Sequence, residues 1–140
     1  MNTFKTRAHI SYSVSNIEKT VAFYNKFFGA EPVKIRPGYA KYLLQEPHLN
    51  ISFEEGHRPD PQHIHFGIEV NDVAHLKSRL ANALTENLHV DEEEDVKCCY
   101  ARQDKFWVTD PDGYKWEVFK FIEDVEQNDV QYSMDGACCG

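Results

Sequence analysis

Two pairs of adjacent cysteines, Cys98-Cys99 and Cys138-Cys139, hold all four thiols of this 140-residue chain. Neighbouring cysteines are poor partners for each other, because the eight-membered ring that closes their S–S bond departs from relaxed disulfide geometry. Two adjoining thiolates are instead a good clip for a soft, thiophilic centre such as Cd²⁺ or trivalent arsenic. A plainer role is also open to Cys98 and Cys99. In an alternating strand one of them points inward and the other outward, and a small apolar thiol fills either place. The recurrence of the pair favours the clip.

The surroundings of these thiols follow from composition. A net charge of −8 and a pI near 5.3 disfavour a nucleic-acid surface or an anionic membrane as partner. No apolar run reaches membrane-spanning length, and the first seven residues are not followed by a signal-peptide core. The expectation is a reducing cytoplasm, where thiols stay unpaired. From about Glu123 to Gly140 the sequence is acidic, polar and aperiodic, which predicts a mobile tail carrying Cys138 and Cys139 as a tethered pair.

Position is supplied by an internal repeat. Alternation from His9 to Val14 predicts a strand. Ser15 with Glu18 reads as a capping box opening a helix whose apolar face is Ile17, Val21, Tyr24 and Phe28, ended by a left-handed Gly29. Strands are expected near Pro32–Arg36, Tyr39–Gln45 and Leu49–Glu54, split by Pro37-Gly38 and Glu46-Pro47. The pattern restarts 56 positions on: His9 becomes His65, Val14 becomes Val70, Asn16 becomes Asp72, and Ile17, Tyr24 and Phe28 become Val73, Leu80 and Leu84. Further strands are expected near Leu88–Val90, Lys97–Arg102, Lys105–Thr109 and Tyr114–Phe121, with Asp110-Pro111-Asp112-Gly113 turning between the last two. The economical description is an α+β fold of tandem βαβββ modules, about 7–56 and 62–122, forming a curved mixed sheet around one cleft. His9 and His65 begin equivalent strands, Glu117 lies on the last strand of the second module, and its counterpart in the first reads as Asn50.

With these residues in view, the chain resembles the vicinal oxygen chelate superfamily of glyoxalases, bleomycin-resistance proteins and extradiol dioxygenases, over about residues 7–122. The Asp110-Pro111-Asp112-Gly113 turn with Trp116-Glu117 is common across that superfamily. The stretch from Lys97 through Cys98, Cys99, Tyr100, Ala101, Gln103 and Lys105 to Trp107 is similar to one branch, the Fe(II)-dependent C–As bond lyases and the related cadmium-induced proteins. The resemblance implies Fe(II) on His9, His65 and Glu117, and a trivalent organoarsenical on Cys98 and Cys99, with O2 as co-substrate and arsenite as product. Cys138 and Cys139 stand as accessory thiols without an assigned role. Many superfamily members pair, so a homodimer is compatible.

Two histidines and one carboxylate suit a non-haem Fe(II) centre because three protein donors leave positions for dioxygen and substrate. Zn²⁺ accepts the same donors. Asn50, a weak neutral ligand, disfavours a four-donor glyoxalase site. His63 rivals His65, since two positions along a strand share a face; alignment with His9 favours His65. His48, His57, His75 and His89 are expected to face solvent. Tyr100, Gln103, Lys105 and Trp107 read as a loop that closes over substrate or as plain strand decoration. A soft-metal buffer for Cd²⁺ or arsenite, and a glyoxalase- or bleomycin-resistance-like protein on another divalent metal, remain the competing functions.

Overall fold

The computed structural model describes residues 5–57, 60–98 and 101–127. The tandem arrangement is present. The first repeat runs β1 (Ala8–Val14), α1 (Ile17–Phe28), β2 (Lys34–Arg36), β3 (Tyr39–Gln45) and β4 (His48–Glu55). A 3-10 turn at Pro61–His63 precedes the second: β5 (His65–Glu69), α2 (Val73–Thr85), β6 (His89–Cys98), β7 (Ala101–Thr109) and β8 (Lys115–Asp124). Each repeat builds its own four-stranded mixed sheet, ordered β1-β4-β3-β2 and β5-β8-β7-β6. In both, the strand opening the repeat pairs in parallel with the strand closing it. The chain divides into two compact units, residues 1–60 with Asp110–Asp112, and residues 61–109 with 113–140.

In the first unit, α1 is capped by Asn16, whose side chain accepts from the Lys19 N–H, rather than by Ser15. The Ser15 N–H is instead taken by the carboxylate of Asp112. Gly29 ends the helix at φ 63°, the left-handed cap that only glycine adopts without strain. The buried stripe is Thr20, Phe23, Tyr24 and Phe27, so Ile17, Val21 and Phe28 flank it instead of forming it. Tyr24 stacks on Phe53 at 4.5 Å, and Phe23, Phe28 and Tyr42 close the cluster edge-on or tilted. The fully buried Tyr24 hydroxyl donates to Asp110 at 2.7 Å and lies 2.7 Å from that of Tyr12. Burial first, then the nearby Tyr12 and Asp110, push its pKa well above the ordinary tyrosine value.

The second unit departs further from expectation. Asp72 caps α2 by accepting from the His75 N–H. Only Leu76 and Ala83 of this helix are buried, and Val73 and Leu84 are exposed rather than core. His75 is half-buried beside Arg79 instead of facing solvent. His63 sits in the 3-10 turn, not on the strand with His65. The strand expected at Leu88–Val90 runs on as one long β6 to Cys98, interrupted in its pairing with β7 between Glu93 and Val96, while Ala101 and Arg102 of the strand expected at Lys97–Arg102 open β7. The expected strands left residues 91–96 unassigned; β6 runs through them at the sheet edge, where acidic residues are compatible with a strand. β8 continues to Asp124, so the aperiodic stretch starts later than Glu123. Cys138 and Cys139 lie outside the described residues.

Candidate active site

Strand alternation sorts β7 into two faces. Phe106 and Val108 are buried on one, and Phe106 shares an apolar groove with Leu76 and Leu80 of α2. Gln103, Lys105 and Trp107 occupy the opposite face and are also buried. They belong to the strand and not to a loop. The Gln-x-Lys-x-Trp spacing is the period-two signal that sequence reading left unused.

Register brings Glu117 to this row. Trp107 pairs with Glu117, and Lys105 pairs with Phe119, which sets Lys105 diagonal to Glu117. The Lys105 ammonium is 2.9 Å from Glu117 Oε2, with 0% of the lysine side chain exposed, and 5.3 Å from the Trp107 ring centre. On the other side, His65 Nε2 is 3.8 Å from Glu117 Oε1, and the His65 ring stands edge-on to Trp107 at 5.3 Å. Gly67, the register partner of Glu117, makes the approach feasible. A Cβ there would meet Glu117 Cγ at 2.9 Å, closer than side chains tolerate. Pro61, Ile64, His65, Trp107 and Lys115 line a cleft of about 360 Å³.

The pair suits a cation. At 3.8 Å the imidazole and carboxylate are too far apart to hydrogen-bond, whereas two donors each about 2.1 Å from one ion can lie up to about 4 Å apart. His9, in the first unit, has Nδ1 3.0 Å from the Asn50 carbonyl. An N–H donated there leaves Nε2 as the lone-pair nitrogen, the usual arrangement of a ligating histidine. His65 and Glu117 are thus brought together within one unit, while His9 belongs to the other. Among the described residues no group of three or more His, Cys, Asp and Glu side chains is assembled around a shared point.

The counterpart of Glu117 needs correction. His65 is in register with Lys115, and Glu117 lies two residues beyond, opposite Gly67. His9 is in register with Asn50, so the equivalent of Glu117 is Ser52, opposite Ser11. Sequence comparison counts along a strand and cannot see how far one strand slides on its neighbour. A neutral, buried hydroxyl gives a four-donor site no better support than Asn50 did.

Cys98 closes β6 and is in register with Ala101, while Cys99 and Tyr100 lie outside the described residues. Ala101 is six residues along β7 from Trp107, the partner of Glu117. At about 3.3 Å per residue, that end of the ladder is about 20 Å from the carboxylate.

Residues 6–118 match the model of the glyoxalase/bleomycin resistance protein/dioxygenase superfamily. The chain belongs to that superfamily. Its members include solved structures of the same fold, such as a glyoxalase/bleomycin resistance protein/dioxygenase from Alicyclobacillus acidocaldarius, with a TM-score of 0.73, 16% identity, and coverage of 88% of this chain and 96% of that one. Among curated relatives, the chain is 42% identical to a trivalent organoarsenical cleaving enzyme of a Bacillus species, over 94% of this chain and 81% of that protein. It is 31% identical to the cadmium-induced protein CadI of Mycobacterium bovis, over 96% of this chain and 93% of that protein. No helix among the described residues is long and apolar enough to cross a membrane.

Proposed function

We propose that this superfamily member cleaves the carbon–arsenic bond of trivalent organoarsenicals and releases arsenite. The 42% identity to an enzyme named for that activity, spanning nearly the whole chain, carries the reading. The adjoining thiols and the His65–Glu117 pair supply matching chemistry.

In this reading the thiols of Cys98 and Cys99 displace two hydroxyls from a trivalent arsenical, each exchange forming an As–S bond and releasing water. Two sulfurs on one arsenic fix its orientation. Pentavalent arsenicals, hard and oxygen-bound, have little affinity for thiolates and are expected to be poor substrates. His9, His65 and Glu117 hold Fe(II), which when bound supplies activation of dioxygen. Trp107 walls the His65–Glu117 pair against water, and the cleft beside it receives the organic group. For methylarsenite, CH3As(OH)2, the atoms close with one O2, giving formaldehyde and As(OH)3. A reducing cytoplasm keeps the thiols available.

The test is arsenite release from methylarsenite by the ferrous-loaded protein, with and without air. Release in air alone is expected. Equal anaerobic release rejects the oxygen requirement, and none in either condition rejects the function. His65→Ala is expected to keep arsenical binding and lose cleavage, whereas Cys99→Ser loses binding.

A further inference from the structure

We propose that Lys105 is a positioning residue that restricts Glu117 to donating through one oxygen, Oε1, and so preserves an open coordination position on the bound ion. The inference rests on the metal role of Glu117 proposed above. It stands on four observations within the second unit.

First, the ammonium is wholly buried and 2.9 Å from Glu117 Oε2. A buried ion pair contributes little net stability compared with an apolar replacement of similar volume, so stability is a weak reason for a lysine on this sheet face. Second, the contact is one-sided. Lys105 occupies Oε2, while Oε1 is the oxygen turned toward His65 Nε2. A carboxylate with both oxygens exposed to a cation can bind it with either or both; a charge-assisted hydrogen bond from an ammonium draws electron density from one oxygen and holds its direction, which favours donation through the other. Third, Trp107 lies against both partners of the carboxylate, 5.3 Å from the ammonium and 5.3 Å from the His65 ring, which limits how either can turn. Fourth, Gly67 gives Glu117 Cγ the room to sit where both contacts are made. The function of such a device is plain for a site where two reactants must meet on one ion: a second carboxylate oxygen would fill a place that a reactant needs.

Co(II), whose visible bands report coordination number, is the probe. The protein is loaded with Co(II), and the spectra of wild type, Glu117→Gln, Lys105→Met and Lys105→Arg are compared, with circular dichroism to confirm folding. Lys105→Met is expected to lower the visible band intensity by at least about twofold as coordination number rises, and to lower the ferrous cleavage rate by about 10–100-fold, the usual cost of losing a group that orients a metal ligand. Lys105→Arg, which keeps a donor on Oε2, is expected to retain the wild-type spectrum. A Lys105→Met spectrum identical to wild type overturns the inference even if activity falls, because a merely structural lysine would leave coordination untouched. Should Lys105→Met fail to fold, Lys105→Leu, which also lacks a donor, is read in the same way. If Glu117→Gln and wild type give the same spectrum, the metal role of Glu117 fails first, and the role of Lys105 with it.

Discussion

The two units share strand order and helix placement, yet the first is filled with rings and the second carries a buried ion pair. Around Tyr24 in the first unit, Phe23, Phe28, Tyr42 and Phe53 pack against one another. In the second, Lys105, Glu117, His65 and Trp107 form a polar row on one sheet face. Register shows what stands in their places in the first unit: Ser52 for Glu117, Lys41 for Trp107 and Tyr39 for Lys105. The two units therefore share a scaffold, and the carboxylate, its ammonium partner and the aromatic wall stand on the second. The first unit contributes His9 and a dense aromatic core, and the second gathers the remaining polar row on one sheet face.

The strongest test of that contrast is Glu117→Gln, which is expected to abolish arsenite release while the protein stays folded, read by product assay and circular dichroism. Phe53→Ala works in the opposite sense. It should cost about 3–5 kcal/mol of stability in urea unfolding, by leaving a void in a dense aromatic cluster. Tyr24→Phe is smaller, about 1–3 kcal/mol, because it removes the donor on a buried carboxylate. Its pH dependence sharpens the point. The folded-state pKa of Tyr24 is raised above the unfolded value of about 10. The stability tied to the neutral phenol is then fully present below that pH and is lost as pH climbs beyond it. Wild type should lose stability more steeply than Tyr24→Phe between pH 9 and 11, both ends about one unit from the reference value, as followed by the urea midpoint. Smallest of all, Ser52→Ala, the loss of one buried hydroxyl, should change stability by about 0.5–1.5 kcal/mol and leave cleavage unaltered. A large loss of activity there would erase the asymmetry between the units.

Much of the scaffold was legible because it is written in local signals. The apolar period of α1, the cap at Gly29 and the Pro37-Gly38 break each act over a few residues, and β3 falls where alternation put it. His65 and Glu117 were legible too, as chemistry on strands expected to face one cleft. What could not be read was lateral. The slide of β1 on β4 relative to β5 on β8 decides that Ser52, not Asn50, matches Glu117, and no linear pattern records it. The continuity of β6 was hidden because its carboxylates are tolerated only at a sheet edge, which is a property of topology. Lys105 read as part of a closing loop or as strand decoration, because its contact with Glu117 depends on cross-strand register. Only the diagonal position of Glu117 explains its burial.

Asp110–Asp112 bridge β7 and β8, yet they fold with the first unit, where they bind Tyr24 and Ser15. A fragment ending at residue 60 would leave the Tyr24 phenol without the carboxylate it donates to. Residues 1–60 thus draw a buried hydrogen-bond partner from a turn more than eighty positions along the chain.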